Sequence, residues 1–423
     1  MTQAEKEIEL LQCLEAYDRR FHEKLAKMPA YAPWQKNDRQ RIRAVLRQTL
    51  GIRPEWIPQI QMQRVGILPM NGYSVEQLHF TSWKGVHGSA HLYWPDRQQG
   101  LLPGVLLCCG HEAGCKHAQS YQAMARRLAR QGAAVLIADN MGQGERLPMG
   151  HSASVLPFAC GMSLQGMLVM ESIALLRWLA VQPKIDSARL GITGNSGGGA
   201  LSMFVGALEE KVSLIVPCGY PSNFELFLRK NKVHCACNIL PGILGRLEMW
   251  HVLSLCAPRR LRIVQGQGDH FFPYEAFCDL GQKLTFVYSV YGCREQFDCI
   301  AYPGGHGWDV ARRESLSEFF SQEWGLFPAE HLTDDRLEVI LNTVRCFFSY
   351  PVGALTVDEA ACLISGKNPA KDLNLWDVYP PQFQMNAADL EGMQPRGAIS
   401  SPIDYRQILA QYEACLSDMN PEI

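Results

Sequence analysis

The residues best suited to chemistry are a serine, an aspartate and a histidine, each closing a short apolar run. Ser196 sits in Gly194-Asn195-Ser196-Gly197-Gly198, a G-x-S-x-G sequence. Such a sequence suits a sharp strand-to-helix turn that lifts the serine hydroxyl above a sheet edge. The turn puts the serine at positive φ, and glycines two before and two after let strand and helix approach without a Cβ clash. Leu190, Ile192 and Thr193 read as the end of a buried strand, and residues 200–205 as the start of an apolar helix.

A serine hydroxyl is a poor nucleophile until a base takes its proton, and the base needs a carboxylate to fix its tautomer. Both partners follow in the chain. Residues 261–264 form an apolar run, and Gln265-Gly266-Gln267-Gly268-Asp269 closes it, which places Asp269 on a loop at a strand's carboxyl end. Residues 297–302 read as another strand, and Pro303-Gly304-Gly305-His306-Gly307-Trp308 follows. His306, between glycines, can reach over the serine. Asp298 is the nearest alternative acid. The oxyanion of such a reaction needs two backbone N–H groups. Gly197, just after the serine, is expected to supply one. His111, in the Gly110-His111-Glu112-Ala113-Gly114 loop after the strand 104–109, supplies the other, its side chain left to line the pocket.

Further motifs join these. They are Asp139-Asn140-Met141-Gly142-Gln143-Gly144-Glu145, the segment 234–242 from His234 to Gly242, Ala257-Pro258-Arg259, Gly268-Asp269 with Phe272-Pro273, and Gly305-His306-Gly307. With the elbow and the Gly110-His111 loop, they resemble the acetylxylan-esterase-like and dienelactone-hydrolase-like α/β-hydrolases over roughly residues 40 to 325. The resemblance implies triad roles for Ser196, Asp269 and His306, and short acyl groups as substrate. One departure is Cys109, where that group often carries a histidine. The tail beyond Trp324 does not match the compact esterases.

Positioning these loops requires a sheet. Runs at 104–109, 133–138, 188–193, 212–217, 261–265 and 296–302 alternate with helical stretches, a βαβ rhythm that predicts a doubly wound, mostly parallel sheet. Period-two stretches between 60 and 94 predict an antiparallel edge leading into it. Residues 4–27 and Asp38 through Leu50 read as helices, the second ended by Gly51. The expected division is an N-terminal helical segment 1–58, an α/β-hydrolase catalytic domain 59–325 and a C-terminal extension 326–423, with 334–347 helical. Residues 219–257 are inserted over the active site. Phe224, Phe227 and Trp250 in that insertion, with Trp308, are the candidate substrate-binding residues. With Leu240, Ile243 and Leu244, the insertion's Phe224, Phe227 and Trp250 are also read as simply packing the insertion onto the body.

A net charge of −2 over 423 residues, with no basic run, argues against nucleic acid and anionic membranes as partners. No segment approaches the roughly 18 uninterrupted apolar residues of a membrane helix. The charged N-terminus and fifteen cysteines without secretory context lead to the expectation of a cytoplasmic protein with reduced thiols. Two Cys/His clusters invite a metal reading: Cys108, Cys109, His111 and Cys115, and His234, Cys235 and Cys237. Their spacings are not paired C-x2-C knuckles, and neighbours on a strand point to opposite faces. The expectation is therefore no metal and no cofactor.

The activity expected is a serine esterase acting on a small-molecule ester through an acyl-enzyme. Acyl transfer, or thioester cleavage, in a biosynthetic pathway is the alternative within the same chemistry. A catalytically silent binding protein is the alternative outside it. Whether the tail serves as lid, packing arm or homo-oligomer contact is left open.

Overall fold

The computed structural model describes residues 34–112, 114–151, 156–224, 235–238, 240, 243, 246–328, 346 and 350–369. The expected helices at 4–27 and 334–347, and Phe227 and Leu244, lie outside them. Among the described residues nine strands form one sheet: β1 (Gln61–Met70), β2 (Tyr73–Thr81), β3 (His87–Pro95), β4 (Leu102–Cys108), β5 (Ala134–Ala138), β6 (Ile185–Asn195), β7 (Leu214–Cys218), β8 (Arg260–Gly266) and β9 (Phe297–Tyr302). Their spatial order is β1-β2-β3-β5-β4-β6-β7-β8-β9. The first three strands and the β3–β5 pair are antiparallel, and β5-β4-β6-β7-β8-β9 are parallel. This is the mixed, doubly wound sheet that the sequence rhythm predicts.

The helices are α1 (Arg39–Leu50), α2 (Gln119–Arg130), α3 (Leu156–Ala159), α4 (Leu164–Ala180), α5 (Gly197–Leu208), α6 (Met249–Ser254), α7 (Tyr274–Val290), α8 (Val310–Trp324) and α9 (Val357–Ser365). Gly51, at φ 69°, ends α1 in the left-handed conformation that a helix stop favours. Side chains of β4 alternate between two apolar cores: Leu106 and Cys108 face the larger, and Val105, Leu107 and the following Cys109 face the smaller. The larger holds Ile42 and Leu46 of α1, most of α4, Met203 and Phe204 of α5, and Leu280 and Leu284 of α7. The smaller holds Tyr121 and Met124 of α2 and Phe319 and Phe320 of α8. Every residue of β4 is buried, as expected for a parallel strand covered on both faces.

Two stretches outside the sheet join the larger core. Ile42, Leu46 and Leu50 of α1 are fully buried, and Val357, Ala360 and Ala361 of α9 pack into the same cluster. Part of the C-terminal extension thus packs on the body. At the far edge, β1 carries the exposed Val65 and Ile67, with a bulge between Arg64 and Gly66. A bulge breaks the regular edge that another strand would need for pairing. No helix among the described residues is long and apolar enough to cross a membrane.

Strand order reverses at β4: β5 lies on one side of it and β6 on the other. The helices that follow β4 and β5, α2 and α4, accordingly pack on opposite faces. The crevice at the carboxyl ends of β4 and β6 is the switch point where open α/β sheets place their ligands. The Gly110-His111 loop follows β4, and Ser196 follows β6.

Candidate active site

Ser196 stands between the end of β6 and the start of α5, at φ 58° and ψ −120°. Among the described residues only Cys115 shares a positive φ without being glycine. The strain is held by close packing. A Cβ on Gly194 would lie 2.3 Å from the Cys108 carbonyl oxygen, one on Gly198 2.0 Å from the same atom, and one on Gly199 2.1 Å from the Cys218 carbonyl oxygen. All three targets are backbone, so the glycines are required by approach. The Ser196 N–H donates to the Cys218 carbonyl at 3.0 Å, which pins the turn to β7.

His306 Nε2 lies 2.9 Å from Ser196 Oγ, and His306 Nδ1 lies 2.8 Å from Asp269 Oδ2. The other carboxylate oxygen, Oδ1, accepts the Phe271 and Phe272 N–H groups at 2.8 and 3.1 Å. The Asp269 side chain is thereby buried and fixed, and the imidazole is only slightly exposed. A carboxylate held in this way keeps the Nδ1 proton on the histidine and leaves Nε2 to accept from the hydroxyl. The two loops are tied together: Gly268 N–H donates to the Gly304 carbonyl at 2.8 Å and Gln267 N–H to the Tyr302 carbonyl at 2.8 Å. Arg312, buried on α8, clasps the histidine loop by donating to the Gly307 carbonyl at 2.5 Å and the Pro303 carbonyl at 3.1 Å.

The alternative acid, Asp298, is engaged elsewhere. It pairs with Arg260 and Arg262 of β8, each at 2.7 Å. Burial alone would raise its carboxyl, but the hydrogen bonds from Arg262 and Arg260 outweigh it and hold the group below its ordinary value.

The loop after β4 arches over the elbow. Gly110 N–H donates to the Tyr121 phenol at 2.5 Å, and that hydroxyl donates to the Asn195 carbonyl at 3.3 Å. Burial pushes the Tyr121 phenol well above its ordinary value, so it stays neutral and keeps its proton. The His111 ring lies over Gly197: a Cβ there would sit 3.0 Å from His111 Nδ1. Gly197 opens α5, so its N–H has no partner within the helix.

The Asp139–Glu145 motif is the scaffold beneath that loop. The Lys116 ammonium is fully buried between Asp139 and Glu145, with Glu145 Oε2 at 2.6 Å and Ser89 Oγ at 3.0 Å. Asp139 also accepts the Lys116 and Glu145 backbone N–H groups, each at 3.0 Å. Asn140 Nδ2 donates to the Cys109 carbonyl at 2.9 Å, directly bracing the strand end before His111. Arg146 is bidentate on Glu171 at 2.6 and 3.0 Å, both buried. A buried charge set of this kind persists because every member is paired.

The structure thus brings together Ser196, Asp269, His306, His111 and Gly197. It uses the aromatic candidates differently. Trp308 is buried edge-on against Tyr121 at 5.5 Å, in the smaller core. Phe224 is buried in the larger core, its N–H donating to Glu248 at 2.8 Å. Trp250 lies against His251 at 3.9 Å and under Lys283 of α7 at 5.8 Å. Phe224 and Trp308 are buried in the two cores, and Trp250 is partly buried against the larger one. The rings beside the histidine are Phe271 at 4.9 Å and Phe272 at 5.7 Å, with Tyr220 at 4.9 Å behind Phe272. Phe271 and Phe272 directly follow the Asp269 turn and were readable from that adjacency. Tyr121 acts across a long sequence separation and gives no local signal, and the Asn140 motif shows in the sequence without its partner Cys109.

Residues 55–232 match the family model described as acetyl xylan esterase. That stretch includes His111 and Ser196, whereas Asp269 and His306 lie beyond it. A protein of Bacillus subtilis (strain 168) named as a hydrolase, YtaP, is 24% identical over 254 aligned residues, in an alignment that covers 56% of this chain and 84% of that protein. Among solved structures, the methylesterase BT1017 superposes with a TM-score of 0.62 at 20% identity, covering 77% of this chain and 73% of its own. A glucuronoyl esterase from Solibacter usitatus gives 0.55 at 14% identity, covering 71% of this chain and 100% of its own. What these structures share with the chain is the fold, a mixed, mostly parallel sheet flanked by helices.

Proposed function

We propose that this α/β-hydrolase-fold enzyme, related to acetyl-xylan-esterase-type proteins, cleaves a carboxylic ester through an acyl-enzyme on Ser196. His306 Nε2 takes the hydroxyl proton as Oγ attacks the carbonyl carbon. Asp269 holds the imidazole in the required tautomer and stabilises its charged form. The N–H groups of Gly197 and His111 receive the developing oxyanion. His306 then gives its proton to the leaving alcohol, and water, deprotonated by the same histidine, releases the acid. The observation that carries this reading is the continuous Ser196–His306–Asp269 hydrogen-bond chain at 2.9 and 2.8 Å.

For the substrate, the reading is a short acyl group of the acetyl type. The family description over residues 55–232 supports it. So does the His111 ring, which crowds the space above Gly197. A fluorophosphonate probe tests the nucleophile: wild-type protein is labelled at Ser196, and folded Ser196→Ala is not. Label on another residue overturns the assignment. Nitrophenyl esters from acetate to octanoate test the acyl group. Each methylene buried in an open apolar groove adds about 0.8 kcal/mol, so a groove gives activity rising with chain length. A maximum at acetate or propionate supports the short-acyl reading; a maximum at octanoate rejects it.

A further inference from the structure

Four side chains from three separate segments converge beside the oxyanion loop. His111 follows β4, His151 lies in the segment after β5, and Cys235 and Cys237 belong to the insertion after β7. Their ligand atoms all lie within 4.8 Å of one another. We propose that His111, His151, Cys235 and Cys237 bind one zinc ion that ties these three segments together at the rim of the active site.

Two of the separations match a coordination sphere, and the others, all within 4.8 Å, would have to close by up to about 1 Å around an ion. His111 Nε2 and His151 Nε2 are 3.1 Å apart, and Cys237 Sγ is 3.4 Å from His111 Nε2. A tetrahedral zinc with bonds of about 2.0 Å to nitrogen and about 2.3 Å to sulfur sets its ligand nitrogens about 3.3 Å apart, and nitrogen and sulfur about 3.5 Å apart. The observed separations lie within a few tenths of an ångström of both.

The hydrogen bonds orient the donors for a cation. His151 Nδ1 lies 2.6 Å from the Met141 carbonyl oxygen, which can only accept, so Nδ1 carries the proton. In a neutral ring Nε2 then presents a lone pair toward the cluster. A ligating histidine characteristically donates its other nitrogen to a backbone carbonyl in this way. The Cys237 N–H points at Cys235 Sγ at 3.3 Å, the donor a thiolate ligand attracts. His151, Cys235 and Cys237 are buried, where two imidazoles and two thiols are better satisfied by one metal than by apolar neighbours. Two thiolates and two imidazoles in a tetrahedral array favour zinc over harder divalent ions.

The sequence-based expectation of no metal treats the cysteine clusters separately. The fold takes one residue from the first, two from the second, and His151 from neither, so no local spacing announces the set. Four protein ligands leave no open position, which makes the ion structural, with no water to activate. Its consequence for the site is position: it fixes the His111 ring over Gly197.

The experiment uses the untagged full chain, purified in reducing buffer without chelator. Metal content measured by inductively coupled plasma mass spectrometry is expected at about one zinc per chain. The Cys235→Ser/Cys237→Ser variant should fall below about a tenth of that, and Ser196→Ala should keep the wild-type value. The cobalt-substituted wild-type protein should show tetrahedral visible bands and thiolate-to-cobalt charge transfer, a readout that does not depend on any variant folding. Wild-type protein with free thiols that neither contains zinc nor takes up added zinc or cobalt overturns the proposal. So does zinc retained by the double variant, or a Cys235–Cys237 disulfide found by mass. Because the readout is metal content, failure of the ester-cleavage reading leaves this result intact, and the reverse also holds.

Discussion

The phenol oxygen of Tyr121 lies 2.5 Å from the Gly110 nitrogen, and through it the loop after β4 is joined to the Asn195 carbonyl at the elbow. Tyr121 touches no reacting atom in this arrangement. It sets the distance between the two backbone segments whose N–H groups are proposed as the oxyanion donors. Tyr121→Phe keeps the packing against Trp308 and removes only the oxygen. Leaving the buried Gly110 N–H unsatisfied costs about 1–3 kcal/mol of stability. The catalytic cost should be a fall of about tenfold in kcat with KM unchanged, short of the roughly 10²–10³ that outright loss of an oxyanion donor brings. Steady-state kinetics with a thermal melt would check it, and an unchanged kcat would show that the loop holds its position without the phenol.

His306→Ala should lose nearly all turnover, with a kcat loss on the order of 10⁴ or more. Asp269→Asn should lose somewhat less, because the base remains present but its tautomer is wrong. The Asn variant also keeps an oxygen for the Phe271 and Phe272 N–H groups, so its fold should survive. Ester hydrolysis rates alongside circular dichroism decide the matter. A fully active Asp269→Asn would remove the aspartate from the mechanism.

Asp298→Asn should keep its activity and lose stability. Its carboxylate is held below its ordinary value by Arg262 and Arg260 against the opposing effect of burial. A depressed folded pKa contributes stability that is fully present above the unfolded value of about 3.9 and is lost as pH falls through the folded value. The melting-temperature gap between wild type and Asp298→Asn should therefore persist from neutral pH to about pH 4 and close on further acidification. A gap that widened in acid would reverse the sign of the assigned shift.

The parts of this molecule legible in its sequence are those whose determinants are local. Ser196 and its glycines lie within six residues, and the sheet, elbow and loops that carry Asp269 and His306 follow from short apolar runs closed by glycine. The choice of Asp269 over Asp298 followed from position, since a residue just past a strand reaches the switch point and one inside β9 pairs across the sheet. What stayed hidden depends on contacts between distant segments. Phe224, Trp250 and Trp308 are large and apolar, and composition cannot tell a pocket wall from a packing side chain. Asn140 bracing Cys109 spans 31 positions, and Tyr121 reaching Asn195 spans 74.

Two adjacent glycines of the elbow should respond oppositely to the same substitution. A Cβ on Gly198 would lie 2.0 Å from the Cys108 carbonyl oxygen and 2.8 Å from its carbon. Both are central backbone atoms, because β4 is buried and paired on both sides. Relief would require pulling β4 and α5 apart. Gly198→Ala should therefore cost more than about 3 kcal/mol, beyond the usual range for overpacking. A Cβ on Gly197 would press on His111 Nδ1 at 3.0 Å and Cε1 at 3.2 Å, side-chain atoms that have to give by a few tenths of an ångström, and would reach the Gly110 Cα only at 3.4 Å, an ordinary contact. In the metal-free chain, Gly197→Ala should then fold with a melting temperature near wild type while kcat falls, since the displaced ring takes its loop with it. Denaturant unfolding and kinetics on the two variants would separate them. Equal destabilisation of both would mean that the His111 ring is held as rigidly as the backbone of β4.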